Sequence, residues 1–201
     1  MATVAEMMPE KRFPASQAAR LETPERLVWL PPADVIRALA VQAGETIADV
    51  GAGTGYFALP LSVAVGEAGK VYAVDGQSEM LGWIKGKLGQ AEFSNIELIH
   101  AEAEQSNLPG SSCDVFFLAN LWHEIEDRVA VLAEAQLVLR KGGRLAILDW
   151  RTDVEAIAGP PLAHRIASAD AMEEVRLAGF TRLASQEIGR YSWLVQGETK
   201  R

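Results

Sequence analysis

Asp49, Gly51, Gly53 and Gly55 occupy alternate positions in the run Ile47 to Gly66, IADVGAGTGYFALPLSVAVG. Glycines at that spacing let the backbone turn tightly and approach a ligand with no Cβ in the way. Ile47, Ala48 and Val50 read as a buried parallel strand, and Tyr56 to Val65 carries apolar residues at helical spacing, so the glycines fall on a strand-to-helix turn. The free N–H groups of the next helix add partial positive charge there, and a nucleotide-like cofactor is the natural occupant. Asp75 lies about 20 residues past the turn, where a carboxylate can accept hydrogen bonds from both hydroxyls of a ribose. His123 has an intrinsic pKa near neutrality and is the first candidate for a general base. A capping or core-edge histidine is an equally good reading of its position.

Spacing separates the possible cofactors. A dinucleotide site takes GxGxxG, whose third glycine allows close packing of helix on strand. Here Tyr56 stands at that place, which argues against a nicotinamide cofactor. Weaker candidates are His164 and Arg165 in a loosened segment after the fifth strand, and Asp149 and Trp150 at that strand's end. Tyr191 and Trp193 read as hairpin packing, and Glu124, Glu126 and Asp127 as acidic bias at a helix start.

These residues need elements to hold them. The patterns predict strands at Ile47 to Val50, Lys70 to Val74, Ile96 to His100, Asp114 to Asn120 and Leu145 to Leu148, alternating with helices. One helix runs through Met80, Leu81, Ile84 and Leu88. Another covers Asp127 to Arg140, closed by Lys141-Gly142-Gly143. Ser168 to Ala178 forms the last helix. Phe180 to Ile188 and Tyr191 to Gln196 read as strands joined at Gly189-Arg190, an antiparallel hairpin. In an open α/β sheet of this kind, ligands bind beyond the C-terminal strand ends where strand order reverses, so the residues just after each strand are the ones to watch. Met1 to Arg20 reads as an irregular arm, and two short helices follow, one capped by Thr23 with Pro24 at its first position and one opened by Pro32 and Asp34. The expected layout is one domain, with residues 1–43 as arm and helical cover and 44–201 as the α/β core.

The chain has 201 residues, 49% of them hydrophobic, enough for a substantial core. A formal net charge of −8 disfavours a broad nucleic-acid or anionic-membrane surface. The single cysteine, Cys113, sits in an apolar strand and reads as a buried, inert thiol. No signal peptide and no membrane span is expected, which fits a cytoplasmic protein, monomeric or homodimeric.

Taken together, DVGAGTGYF, VYAVDGQSEML, HAEAEQSNLP and LRKGGRLAILDW resemble the ordered motifs of the class I S-adenosylmethionine-dependent methyltransferases, from about Arg20 to the C-terminus. The resemblance implies a Rossmann-like seven-stranded sheet, mostly parallel with an antiparallel C-terminal strand and helices on both faces. It implies that S-adenosylmethionine is the cofactor and S-adenosylhomocysteine the product. Asp49, Gly51 and Gly53 would line the methionine part, Asp49 acting on its ammonium directly or through water, and Gly55 would be a further cofactor-binding residue. Asp75 would hold the ribose, Glu102 or Glu104 would accept from the adenine amino group, and Ala103 would offer its backbone N–H. Asn120 and Leu121 would line the sulfonium side. Gly76 departs from the pattern, standing where the family usually has an apolar side chain against adenine. The function expected is in-line transfer of a methyl group to a small-molecule acceptor, with no metal and His123 as catalytic base. A non-catalytic S-adenosylmethionine-binding partner or sensor is the alternative from another class.

Overall fold

The computed structural model describes residues 12–89, 93–155 and 159–200. Its strands are β1 (Thr46–Val50), β2 (Lys70–Asp75), β3 (Ile96–His100), β4 (Cys113–Ala119), β5 (Leu139–Trp150), β6 (Thr181–Ile188) and β7 (Ser192–Glu198). They form one seven-stranded sheet in the order β3-β2-β1-β4-β5-β7-β6. The pairings from β3 to β5 are parallel, and β7 runs antiparallel to both its neighbours. The helices are α1 (Pro24–Trp29), α2 (Pro32–Ala38), α3 (Ala58–Val65), α4 (Ser78–Leu88), α5 (Arg128–Val138) and α6 (Ser168–Leu177).

Successive strand residues point to opposite faces, and here both faces are covered. Ala48, Val50, Phe116, Leu118 and Ile147 face the layer that contains Val131, Leu132 and Val175 of α5 and α6. Ile47, Val115, Phe117, Ala146 and Leu148 face Val35, Leu61 and Ile84 of α2, α3 and α4. That two-sided burial is why β4 reads as a nearly unbroken apolar run. Burying each phenylalanine contributes about 1.5–3 kcal/mol, so this central strand anchors the sheet.

Two expectations are corrected. Lys141-Gly142-Gly143 does not close a helix: α5 stops at Val138, and Leu139 turns directly into β5, where it pairs with Cys113 across a register break. Gly142 has φ +75°, and the backbone beyond it is held by Thr199, which donates to the Gly143 carbonyl at 2.9 Å. The end of the arm is also not irregular, because Ala15–Glu22 forms a 3-10 helix with Ala18 buried. Residues 1–11 of the predicted arm lie outside the described residues. Thr23 stands at the start of α1 as expected, but its carbonyl, not its side chain, accepts from Arg26 N–H.

Candidate functional site

Strand order reverses between β1 and β4, since β2 and β3 lie on one side and β5 on the other. A crevice for a ligand belongs at that point. The turn leaving β1 places Gly51, Gly53 and Gly55 at φ +75°, +55° and +85°, a region that side chains disfavour. Gly51 and Ala52 N–H both donate to the Val74 carbonyl, stitching the turn to the end of β2. The missing Cβ atoms serve different ends. A Cβ on Gly51 would lie 2.6 Å from Leu121, and one on Gly55 would lie 2.6 Å from Leu59 and 3.0 Å from Ile84, so Gly55 serves packing of the turn on α3 and α4.

Asp75 ends β2 and is buried. Its Oδ2 accepts from Gly53 N–H and its Oδ1 from Gln77 N–H, each at 2.8 Å. Burial pushes its pKa up, and those two N–H groups and Arg12 hold it back. Each oxygen keeps a lone pair for a hydroxyl. Asp49 is 1% exposed, and its Oδ2 has no hydrogen-bond partner among the described residues. Burial and the neighbouring Asp75 charge push its pKa up to about 7, opposed by Arg26 and the Ala58 N–H. An orphaned buried carboxylate oxygen is costly, and a cationic group placed against it would relieve that cost. The turn therefore fits a cofactor with a cationic head near Asp49 and a diol near Asp75.

Beyond β3, Glu102 is exposed and paired with Arg12 through Nη1–Oε1 at 3.3 Å and Nη2–Oε2 at 3.0 Å. A Cβ on Gly76 would meet Arg12 Nη2 at 2.1 Å and the Glu102 carboxylate at 2.5 Å. The unusual Gly76 thus makes room for this ion pair. Ala103 is half-buried in the turn that follows, which Gln105 N–H closes onto the Glu102 carbonyl. Gln77 fixes the chain arriving from the N-terminus, accepting from Ala15 N–H and donating to the Phe13 carbonyl, both at 3.0 Å. Residues 12–15 therefore strap the ends of β2, β3 and β4.

After β4, Asn120 takes φ +55°, donates its N–H to the Leu148 carbonyl at 2.7 Å, and leaves Oδ1 buried and without a partner among the described residues. Three residues on, His123 is 7% exposed, with Nδ1 2.8 Å from Asp149 Oδ1. Asp149, at 0% exposure, also accepts from His123 N–H at 2.9 Å and Trp150 N–H at 2.7 Å. With Nδ1–H donated to Asp149, Nε2 of the neutral ring carries the free lone pair. Burial pulls the His123 pKa down, but the Asp149 hydrogen bond and charge, with Glu124, raise it above its ordinary value.

Glu124 is corrected. It does not bias a helix start: it is nearly buried, lies 3.7 Å from His123 Nε2 through Oε1, and accepts from Phe13 N–H at 2.9 Å through Oε2. Asp127 is the helix cap, accepting from Ala130 N–H at 2.9 Å. Arg165 donates to the carbonyls of Pro160, Arg151 and Val154, so it knits the segment after β5. Trp193 donates to the Trp150 and Ile166 carbonyls in the role of hairpin packing. Tyr56 donates to the Leu30 carbonyl at 2.6 Å. Cys113 is fully buried at the opposite end of β4 from His123. No group of three or more His, Cys, Asp or Glu placed to hold a metal occurs among the described residues, and none of their helices is long and apolar enough to cross a membrane.

Sequence reasoning missed Arg12, Phe13 and Gln77 and the Asp149–His123 pairing. Those contacts join residues 26 to 111 positions apart, and no local pattern signals them.

The chain matches the methyltransferase domain family over residues 48–147. It is 33% identical over 116 residues to a demethylmenaquinone methyltransferase of Oceanobacillus iheyensis, covering 58% of this chain and 49% of that protein. The Geobacillus kaustophilus enzyme of the same name is 34% identical over 116 residues, with 50% of it covered. The chain thus spans about half the length of these curated relatives. The solved structure of a SAM-dependent methyltransferase from Aquifex aeolicus superposes with a TM-score of 0.87 at 31% identity, covering 93% of this chain and 99% of that one. A phosphoethanolamine N-methyltransferase of Haemonchus contortus, solved with S-adenosyl-L-methionine, shares the fold at a TM-score of 0.71 and 12% identity, with 84% of this chain and 52% of that one covered. With the glycine turn, Asp49 and Asp75 set at the switch point of a seven-stranded sheet, the chain belongs to the class I S-adenosylmethionine-dependent methyltransferases.

Proposed function

We propose that this chain transfers the methyl group of S-adenosylmethionine to a small-molecule acceptor by in-line displacement, with residues 1–43 and 44–201 working as one domain. The observation that carries the reading is the Asp149–His123 pair at the ends of β5 and β4, with His123 two residues beyond Leu121 and Leu121 packed on the glycine turn. The bound cofactor supplies an electrophilic methyl on a sulfonium, so the protein's task is largely positioning, worth on the order of 7–11 kcal/mol in favourable systems.

In this reading Asp49 holds the ammonium group and Asp75 the ribose hydroxyls. Glu102 and the Ala103 N–H meet the adenine edge once Arg12 yields its carboxylate, and Asn120 and Leu121 line the sulfonium side. Neutral His123 accepts the acceptor's proton at Nε2 while Asp149 holds the ring in that tautomer and stabilises the imidazolium that forms. The name of the demethylmenaquinone relatives makes a molecule of that class the first acceptor to screen. Burial of Cys113 away from these residues argues against a thiophilic metalloid such as arsenite as acceptor.

The test is calorimetric titration with S-adenosylmethionine and S-adenosylhomocysteine, using Asp75→Ala as control, followed by transfer of a labelled methyl group. Micromolar binding lost in the variant supports the site. No binding in a folded sample overturns it, and binding with no transfer to any acceptor class leaves the non-catalytic alternative.

A further inference from the structure

His123 and Glu124 stand side by side beyond β4 and turn their unused atoms into one gap. Nδ1 of His123 is taken by Asp149, which leaves Nε2 with the lone pair of the neutral ring. Oε2 of Glu124 is taken by Phe13 N–H at 2.9 Å, and Oε1 makes no hydrogen bond among the described residues. The two unused atoms lie 3.7 Å apart, beyond hydrogen-bond length, and the side chains keep 6% and 11% exposure, so neither is sealed off. Both atoms are acceptors, and neither carries a hydrogen to give.

The gap selects what enters it. A nitrogen about 2.9 Å from both atoms would see them about 80° apart, so two of its N–H bonds reach both with bends of about 15° each, inside the range above 150° that hydrogen bonds prefer. A hydroxyl has one hydrogen and would turn a lone pair toward the other acceptor. Charge points the same way. Asp149 and Glu124 flank one imidazole, while the cations that act on them are engaged elsewhere, Arg12 with Glu102 and Arg165 with backbone carbonyls. An oxygen becomes a better nucleophile by gaining negative charge, which Glu124 opposes. An amine gains positive charge as it attacks, which Glu124 stabilises. Resting on the methyltransferase reading above, we propose that the acceptor is a primary amine, with one N–H bound by Glu124 Oε1 and another by His123 Nε2. The amine reacts in its neutral form through its lone pair: the N–C bond forms, and the S–C bond breaks with its electron pair returning to sulfur. The secondary ammonium so formed passes one proton to His123 Nε2, and its remaining N–H stays on Glu124.

The experiment gives the full chain S-adenosylmethionine with a labelled methyl group and offers primary amines against alcohols of the same skeleton: benzylamine with benzyl alcohol, hexylamine with hexanol, and a naphthohydroquinone beside them. Wild type is expected to methylate an amine on nitrogen in preference to its alcohol. Glu124→Gln keeps the carbonyl that Phe13 N–H needs but loses the charge, so kcat/KM for the amine should fall about 10- to 150-fold, the worth of one charge-assisted hydrogen bond. Its affinity for S-adenosylhomocysteine, read by calorimetry, should stay at the wild-type value, which also reports that the variant is folded. Transfer to an alcohol or to the hydroquinone with no amine methylated overturns the inference, and so does an undiminished amine kcat/KM in Glu124→Gln. If the variant does not fold, the wild-type preference between amine and alcohol decides alone. A wild-type protein that binds S-adenosylmethionine and methylates no probe removes this inference and leaves the non-catalytic alternative, whereas one that does not bind it removes the cofactor reading itself.

Discussion

Cofactor binding is expected to release a proton from Asp49. The residue is 1% exposed, and its pKa stands at about 7 because burial and Asp75 disfavour its charge more than Arg26 and the Ala58 N–H favour it. An ammonium group at its orphaned Oδ2 selects the ionised form. By linkage, a pKa of about 7 means that binding releases close to one proton at pH 5.5 and about 0.2 at pH 7.5. The same arithmetic weakens the apparent Kd about 25-fold between pH 7.5 and pH 5.5. The window stops at pH 7.5 because a free α-amino group titrates near 8. For the empty protein the sign is negative: a carboxyl raised in the folded state costs stability as pH rises from the ordinary carboxylate range through about 7, and bound cofactor offsets that cost. S-adenosylhomocysteine titrations in buffers of differing ionisation enthalpy read the proton count directly. Asp49→Asn should abolish the release and flatten the profile, which separates Asp49 from Asp75. A flat Kd with no proton release in the wild-type protein would refute the placement of the ammonium group at Asp49.

Other perturbations test other parts of the site. Arg12→Ala removes a partly exposed competitor for Glu102, and exposed pairs are worth about 0.2–1 kcal/mol, so S-adenosylhomocysteine should bind up to about fivefold more tightly. Weaker binding would instead make Arg12 part of the loaded site. Asp149→Asn should lower kcat/KM and move the ascending limb of its pH profile to lower pH, because the carboxylate is what raises the His123 pKa. An unmoved limb would remove His123 as the base. In the folded protein the raised pKa of His123 contributes stability that is complete below about pH 6.5 and lost as pH rises through the folded value. Denaturant melts of wild type and Asp149→Asn should therefore converge toward alkaline pH. Phe116→Ala, which truncates a fully buried side chain of β4, should cost about 3–5 kcal/mol in urea unfolding while leaving the order of cofactor affinities unchanged.

How much could be read from the sequence follows from the range of the interactions. β3 falls at Ile96–His100 as the apolar pattern predicts, and the Asp49–Gly55 turn lies on a strand-to-helix junction because glycine spacing and burial are local signals. Lys-Gly-Gly has the chemistry of a helix stop, so the sequence places the end of α5 beyond Val138. The ladder with β4 and Thr199 decides otherwise from 26 or more residues away. Asp149 illustrates the same limit: at the end of a strand its chemistry is ambiguous, and only pairing β4 with β5 brings it to His123. Glu124 reads as helix bias until the strap supplies Phe13 N–H.

A different kind of information lies in what the fold leaves unsatisfied. The buried side-chain atoms without partners among the described residues are Arg26 Nε, Asp49 Oδ2, Thr54 Oγ1, Asn120 Oδ1, Arg144 Nε and Ser192 Oγ. Folded proteins satisfy nearly all such atoms, so each survivor asks for a reason. The first four belong to α1, the end of β1, the glycine turn and the residue after β4, the elements that meet at the switch point. A direct bond between Arg26 Nε and Asp49 Oδ2 would satisfy two of them internally. The apolar ring of Tyr56 and the Leu21 carbonyl take up Arg26 instead, so the two charges stay apart. That separation leaves Asp49 Oδ2 and Arg26 Nε each without a partner among the described residues, so the fold keeps polar groups at the switch point that it does not itself use.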